Sequence, residues 1–544
     1  MKCSECQKSF EYFPGEEAAY SKFNVPAPSN CSECRQKRRM MFRNEKNLYY
    51  NKSYKSGKQI IALYPEESPF RIIDNDEWLD DSFDAEEYGR DFDFSRPFFE
   101  QFAELQLEVP RWARISLNCE NSDFTNNCAN TNNSYLAFSC HDSEYIYHCV
   151  RVNRSRNCFD CYNLAVCEYC SNSLDCENCY DAHFSQLSQN CTSSYFMYDC
   201  RSCNDCILCV GLRNAKYMIK NIQYSREDYE KHKKEFLKTL AKQMKNYEAE
   251  LEVLKTKIPQ VNLQIIASEN CIGDFVVNSK NIQNGFDVTK SEDSINVYNC
   301  DRVKDCCECF CVDKSELCLE CDTNYEVYNS KFSTYFVGSK NVQYLDQCFF
   351  LEDCFGCIGL LRRKNMILNK QYSKEEYRKM VDKIEDYMKK TGEFGRPLPA
   401  TFTAFAYNET VAQDSYPLTK EEAISKCYRW YEEKQDAKHF GQEYEIPENI
   451  EDADEGICDH ILICEETKKN YKITPQEFEL YKKLKLPLPR KAPDQRYKDL
   501  INRRLSQHLR LINCSSCNKE IYTTFPSDTP YEIYCEDCYL KTVY

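Results

Sequence analysis

Two internal duplications constrain this chain more than any other feature. Asp205, Cys206, Cys209, Gly211, Leu212, Lys216, Met218, Ile219, Asn221, Gln223, Tyr224, Ser225, Glu227 and Tyr229 recur without a gap at a constant offset of 148, as Asp353 through Tyr377. Such a chain must build its second half on the plan of its first. The texture around each copy suggests the plan. From about Asn118 charged residues thin out, and short apolar strings return roughly every 10 to 12 residues between Asn- and Ser-rich corners. Tyr135-Leu136-Ala137-Phe138, Tyr145-Ile146-Tyr147, Tyr195-Phe196-Met197-Tyr198, Ile207-Leu208-Cys209-Val210 and Tyr217-Met218-Ile219 are examples. Short strands at regular spacing with almost no glycine turns predict a β-solenoid, in which stacking creates the core that no single rung can bury alone.

Each copy ends in a helical signal. Ser225 is an N-cap with an acid three residues on, and Phe236, Leu240, Met244, Tyr247, Leu251 and Leu254 follow at helical spacing until Pro259. A helix of ~30 residues is ~45 Å long. Its apolar stripe needs a partner, either the shorter helix near Glu375 to Met388 or a second copy of the chain in a homodimer through 225–258. A further helix is expected from Pro97 to Leu107, capped by Ser95, with Phe98, Phe99, Phe102 and Leu105 on one face.

The second duplication joins the two ends of the chain. Lys8, Pro14, Glu16, Tyr20, Lys22, Pro26, Pro28, Arg35, Arg43 and Leu48 meet identical residues 461 positions later, from Lys469 to Leu509, and the register continues to Asp76 and Asp537. The repeated unit of about 76 residues has room for two sites built from paired CxxC knuckles. At the N-terminus the first is Cys3, Cys6, Cys31 and Cys34, while the second has become Ser53, Ser56, Asp74 and Glu77. At the C-terminus the first has decayed to Cys464, Thr467, Ala492 and Gln495, and the second is Cys514, Cys517, Cys535 and Cys538. Four thiolates in two knuckles fill a tetrahedral shell and leave no open position for a substrate, so two structural Zn2+ sites are expected.

The phrases CSEC, FPGEEAAYSKFNVPAPSNCSECRQKRR and RNEKNLY are similar to a zinc-ribbon domain found widely in bacterial proteins. With YGRDFDFSRPFFEQFAELQ, FAYNETVAQ, FELYKKLKLPLPR and YEIYCEDCY, nearly the whole chain resembles a group of uncharacterised cysteine-rich proteins of candidate-phylum bacteria. The resemblance implies zinc ribbons and carries no activity with it.

Composition narrows the function classes. A total of 37 cysteines in a sequence opening without an apolar signal core predicts reduced thiols and a cytoplasmic protein, and no segment approaches a membrane span. Only 13 glycines, no GxGxxG, no GxxxxGK[ST] and no HExxH argue against the common phosphate-binding and metalloprotease chemistries. Cys458, His460 and Cys464 form a compact trio lacking a fourth ligand. The repeat cysteines, Cys158/161, Cys167/170, Cys176/179, Cys203/206/209, Cys306/309, Cys318/321 and Cys354/357, fit packed small hydrophobes, further zinc sites or redox chemistry. The net charge of -16 speaks against a surface that coats nucleic acid. Even so, Arg35, Arg38, Arg39 and Arg43 follow the first knuckles as a basic segment near Tyr49, Tyr50 and Tyr54, and a second basic segment runs from Lys482 to Arg510.

The expectation is a mainly β protein with helical linkers, in which terminal zinc ribbons flank two tandem cysteine-rich β-solenoid domains, each followed by a capping helix. Its parts are an N-terminal double-ribbon module (1–78), an acidic segment and helix (79–114), a first solenoid (115–224), a long helix (225–258), a second solenoid (259–372), a helix and linker (373–460) and a C-terminal double-ribbon module (461–544). Functionally it reads as a non-enzymatic scaffold with a protein partner. Nucleic-acid binding and thiol-based metal or redox chemistry are the alternatives.

Overall fold

The computed structural model describes residues 1–80, 82–320, 322–432 and 444–543, so Cys321, Glu433 and Glu443 lie outside the described residues. The chain is mainly strand with some helices, 32% against 26%, as the sequence suggests. No helix among the described residues is long and apolar enough to cross a membrane.

Two stacks of parallel strands dominate. In the first, Ser116 pairs with Cys128, Ala129 with His141, Tyr162 with Leu174, Thr192 with Asn204, and Asn204 with Lys216. In the second, Lys280 pairs with Glu292, Ile295 with Cys307, Lys340 with Glu352, and Glu352 with Lys364. The partners are twelve residues apart in every one of these pairs, so each turn of the chain takes twelve residues. Main-chain bonds such as Val150 N–H to Cys161 C=O, 3.0 Å, tie one turn to the next.

Within a turn the period is three. Asn157, Asp160, Asn163, Val166, Tyr169 and Asn172 all have φ near +50°, and Asn278, Asn281, Asn284 and Asp287 repeat this in the second stack. Twelve divided by three gives four corners per turn, each bent by one left-handed residue. The residue after each corner points inward: Cys158, Cys161, Leu164, Cys167, Cys170 and Ser173 are buried almost completely. The two-residue alternation expected of ordinary strands therefore does not govern these cysteines. With sides only three residues long, each carries one inward side chain, most often small, with larger residues such as Ile146, Leu164 and Met197 at some positions. Sulfur suits the position because its S–H also donates to a carbonyl, as from Cys149 Sγ to Tyr147 O at 3.2 Å.

A left-handed corner costs an ordinary residue about 1–2 kcal/mol, and Asn and Asp least. Side-chain ladders offset part of this, for example Asn163 Nδ2 to Asp175 Oδ1, 2.6 Å, and Asn130 Nδ2 to Asp142 Oδ1, 2.9 Å, each one turn on. At the exposed corner Asn190 (φ 52°), Asn190→Val is expected to lower the urea-unfolding free energy by about 1–2 kcal/mol while Asn190→Gly stays near wild type. Equal effects of the two substitutions would contradict this account of the corner. At Gly273 the pairing offset changes from eleven to twelve residues, and a Cβ there would meet Gly285 O at 1.8 Å.

The helices cover the stacks. Arg226–Lys255 starts at Ser225, whose Oγ accepts from Asp228 N–H at 3.1 Å. Its stripe lies on the first stack, Tyr229 against Tyr217, Phe236 against Tyr195 and Tyr247 against Phe196. At its far end Glu252 accepts from Tyr531 Oη at 2.7 Å, so the chain's own residues occupy the stripe offered above to a second copy or to the shorter helix. That shorter helix, Lys374–Thr391, buries Tyr377, Ile384 and Met388 in the core of the second stack. Phe98–Glu108 packs on the second stack through Phe98, Phe102 and Leu105. Ser95 does not cap it; its hydroxyl donates to Asp93, 2.7 Å, and the carboxylate of Glu393 accepts from Phe98 and Phe99 N–H at 3.0 and 2.8 Å.

Candidate metal centres

The 461-residue duplication is visible element by element. Ser32–Met40 answers to Pro493–Asn502, Tyr49–Lys52 to Arg510–Asn513, Gln59–Ala62 to Glu520–Thr523 and Ile72–Ile73 to Ile533–Tyr534. The first knuckles of all four sites share one backbone. Cys3, Ser53, Cys464 and Cys514 each donate N–H to the carbonyl five residues on, at 2.8 to 2.9 Å, and Gln7, Gly57, Lys468 and Asn518 close the turns in the left-handed region. The turn thus survives where the cysteines have gone. In the decayed N-terminal site Ser53 Oγ donates to Glu77 and accepts from Asp74 N–H, which replaces a metal bridge by hydrogen bonds. In the decayed C-terminal site Thr467 N–H still reaches Cys464 Sγ, 3.4 Å.

In the two intact sites the four sulfurs lie within 4.8 Å of one another and can hold a metal ion. Cys6 Sγ is 3.8 Å from Cys31 Sγ, and Cys517 Sγ is 3.7 Å from Cys535 Sγ. The edge of a tetrahedron with metal–sulfur bonds of about 2.3 Å is about 3.8 Å, far longer than a disulfide. Backbone amides lower the first thiol of each cluster, while burial raises Cys31, Cys34 and Cys535. Burial pushes the Cys3 thiol up, but the N–H groups of Cys6, Cys31 and Glu5 outweigh it and bring it down to about 6; Cys514 is brought to about 6 in the same way by Cys517, Cys535 and Ser516. The trio Cys458, His460 and Cys464 does not converge: Cys464 sits in its knuckle, and His460 stacks on Tyr444 with ring centres 4.5 Å apart.

The basic segment after the first knuckles, expected as a nucleic-acid contact, is turned inward. Arg35, Arg39 and Arg43 are buried, and Arg38 is paired. Arg35 bridges Glu16 and Glu308, with 2.9 Å to the latter; Arg39 also binds Glu308, Arg38 binds Glu320, and Arg43 binds Glu45 at 3.2 Å. A guanidinium buried against a carboxylate of its own chain offers nothing to a phosphate. Two cations beside Glu308 outweigh its burial and hold its carboxyl down at about 2. Glu16 is pushed up, because burial and the charge of Glu308 outweigh Arg35. Arg496, Arg503 and Arg504 of the second basic segment are likewise engaged, with Asp160, the Asn172 carbonyl and Asp287. Tyr50 and Tyr54 are exposed, 62% and 56%, and Arg71 lies over Tyr54.

These contacts obey both duplications at once. The N-terminal module sets Glu16 against Asn296 and Arg35 against Glu308 of the second stack. The C-terminal module sets Glu477 against His148, 3.1 Å, and Arg496 against Asp160 of the first. Module residues differ by 461 (477 − 16, 496 − 35) and stack residues by 148 (296 − 148, 308 − 160). The other half of each module reaches the opposite stack. Arg43 donates to Ser139 Oγ of the first, 2.8 Å, and Arg504 to Asp287 of the second, 2.9 Å; 287 − 139 is again 148. Ile72–Ile73 pairs with Arg111–Trp112, which leads into the first stack, and Ile533–Tyr534 pairs with Gln260–Val261, which leads into the second. Each module therefore clamps both stacks. The modules also meet directly, through Glu33 with His508 and Lys46 over the ring of Tyr497 at 3.8 Å.

No known family model matches the chain, and no curated protein matches it either. The docking residues were missed in sequence because each offset, read alone, says what repeats and not what touches. One signal was available: Glu308 and Asp160 are acids at positions related by the 148-residue offset.

Proposed function

We propose that this protein is a zinc-binding, non-enzymatic scaffold, in which two zinc-ribbon modules hold two β-solenoids in a fixed arrangement that presents their outer faces to a protein partner. The observation that carries this reading is that each module bridges both stacks while its thiols form a closed four-ligand cluster. Four sulfurs leave no vacancy for substrate, so a metal there contributes folding free energy rather than chemistry. The constant twelve-residue register supports reading both stacks as solenoids, whose outer faces are the extended surface such folds offer. The likeness of the knuckle phrases to bacterial zinc ribbons supports zinc over other ions.

The test is elemental analysis of the full chain purified under reducing conditions. A variant carrying Cys3→Ser and Cys514→Ser is expected to contain two fewer zinc ions per chain than wild type. An unchanged zinc content, or iron in place of zinc, would defeat the reading. The inward-turned arginines predict that RNA and DNA are not retained at moderate salt; affinity falling steeply with salt would restore the nucleic-acid alternative.

A further inference from the structure

We propose that Cys306, Cys309 and Cys318, inside the second stack, form a third metal site, which takes zinc. This site is separate from the terminal ribbons and does not depend on them. The three Sγ atoms lie within 4.8 Å of one another, and all three residues are at most 2% exposed. The triplet geometry explains the convergence. Cys306 and Cys309 are successive inward positions on one turn, and Cys318 is twelve residues after Cys306, one turn on. Position 321, twelve after Cys309 in the sequence, is also cysteine and lies outside the described residues.

The first stack supplies the internal control. It has more inward cysteines, yet among its described residues no three thiols converge in this way. Subtracting 148 from these sequence positions gives Cys158, Cys161 and Cys170 and, for 321, Ser173. Thiols alone, with no imidazole or carboxylate in the group, select a soft thiophilic ion. The competing arrangement is three protonated thiols bonded within the core. Cys309 Sγ donates to Cys318 O at 3.1 Å, and Cys306 Sγ to Lys304 O at 3.4 Å.

Burial also sets the kinetics. The terminal clusters each include an exposed or half-exposed thiol, Cys517 and Cys6, whereas the interior cluster has none. A chelator reaches the terminal ions in the native state and the interior ion only after unfolding.

The experiment measures zinc per chain in the full-length protein under reducing conditions. Wild type is expected to exceed the Cys3→Ser, Cys514→Ser variant by two ions, and that variant is expected to retain one. Cys306→Ser with Cys318→Ser is expected to lose one ion from wild type and keep the terminal pair. If those two substitutions leave the zinc content unchanged, the interior site does not exist. Chelator treatment of the wild-type chain covers the case in which that variant does not fold. A slow fraction of one zinc per chain, released only in denaturant, supports the site. Release of all zinc in the native phase, or iron with acid-labile sulfide, overturns it.

Discussion

A chain carrying Cys535→Ser is expected to lose amide protection across the hairpin Arg510–Asn513 and Glu520–Thr523, and at Gln260–Val261, while the inner turns of both stacks stay protected. The apolar core of this half-module is small, consisting of Ile521, Phe525 and Ile533 beside Cys514 and Cys535. Domains of this size rarely draw more than about 3–5 kcal/mol from their core. A structural zinc in a small module is worth on the order of 10 kcal/mol. Breaking the tetrahedron therefore removes more than the remaining packing supplies. The fraying extends to Gln260–Val261 because, among the described residues, that strand pairs only with Ile533–Tyr534. Cys464→Ala is the control. That site keeps its turn with Thr467, Ala492 and Gln495 in place of thiols and has no four-thiol cluster to break, so losing the contacts of Cys464 Sγ with Thr467, Ala492 and Glu466, at about 1 kcal/mol each, costs much less. Hydrogen exchange of the two variants side by side decides it, and unchanged protection in Cys535→Ser would mean that packing and docking hold the module without metal.

How much of this was legible follows from what each residue pattern can encode. The offsets of 148 and 461 gave the order of the parts, because a gap-free repeat transfers one copy's structure to the other. The eight knuckle cysteines were legible because two CxxC pairs constrain one another in sequence. The triplet period was not, although it stands in the spacing of Cys158, Cys161, Cys167, Cys170, Cys176 and Cys179, whose intervals are all multiples of three. Strand reasoning looks for alternation by two, and a side three residues long closed by a left-handed Asn or Asp never completes one alternation. The fate of Arg35 and Arg39 was illegible for another reason. A basic run reads as surface until its acids are found, and Glu308 lies 269 residues from Arg39. The cap from Glu393 to Phe98 is equally remote, and the nearby Ser95 hid it.

Glu308→Ala is expected to be among the most destabilising single substitutions outside the metal sites. It leaves Arg35 and Arg39 without their shared carboxylate in a setting where both are buried. Removing one partner of a buried pair costs about 3–5 kcal/mol, because the stranded charge has no water to return to. Two buried guanidiniums lose a partner at once, while Arg35 keeps Glu16 and Arg39 keeps Glu320 at 3.9 Å, so the cost is set by the number of arginines affected and not by a fully stranded charge. The equivalent change in the first stack, Asp160→Ala, strands Arg496 alone, and Glu477 remains 3.6 Å away to take up part of its charge. The ranking Glu308→Ala above Asp160→Ala follows, and thermal or urea unfolding of the two chains checks it. Acid should expose the same pair. The folded carboxyl of Glu308 is depressed from 4.5 to about 2, so its contribution is complete above pH 4.5 and is lost as pH falls toward 2. Asp175 has the opposite sign. Burial raises it to about 6 against the pull of Arg504, so its contribution is complete below pH 3.8 and is lost as pH rises through 6. Wild type should therefore weaken between pH 4.5 and 2 more steeply than Glu308→Ala does. Parallel curves would show that the arginines are held by packing and not by this charge.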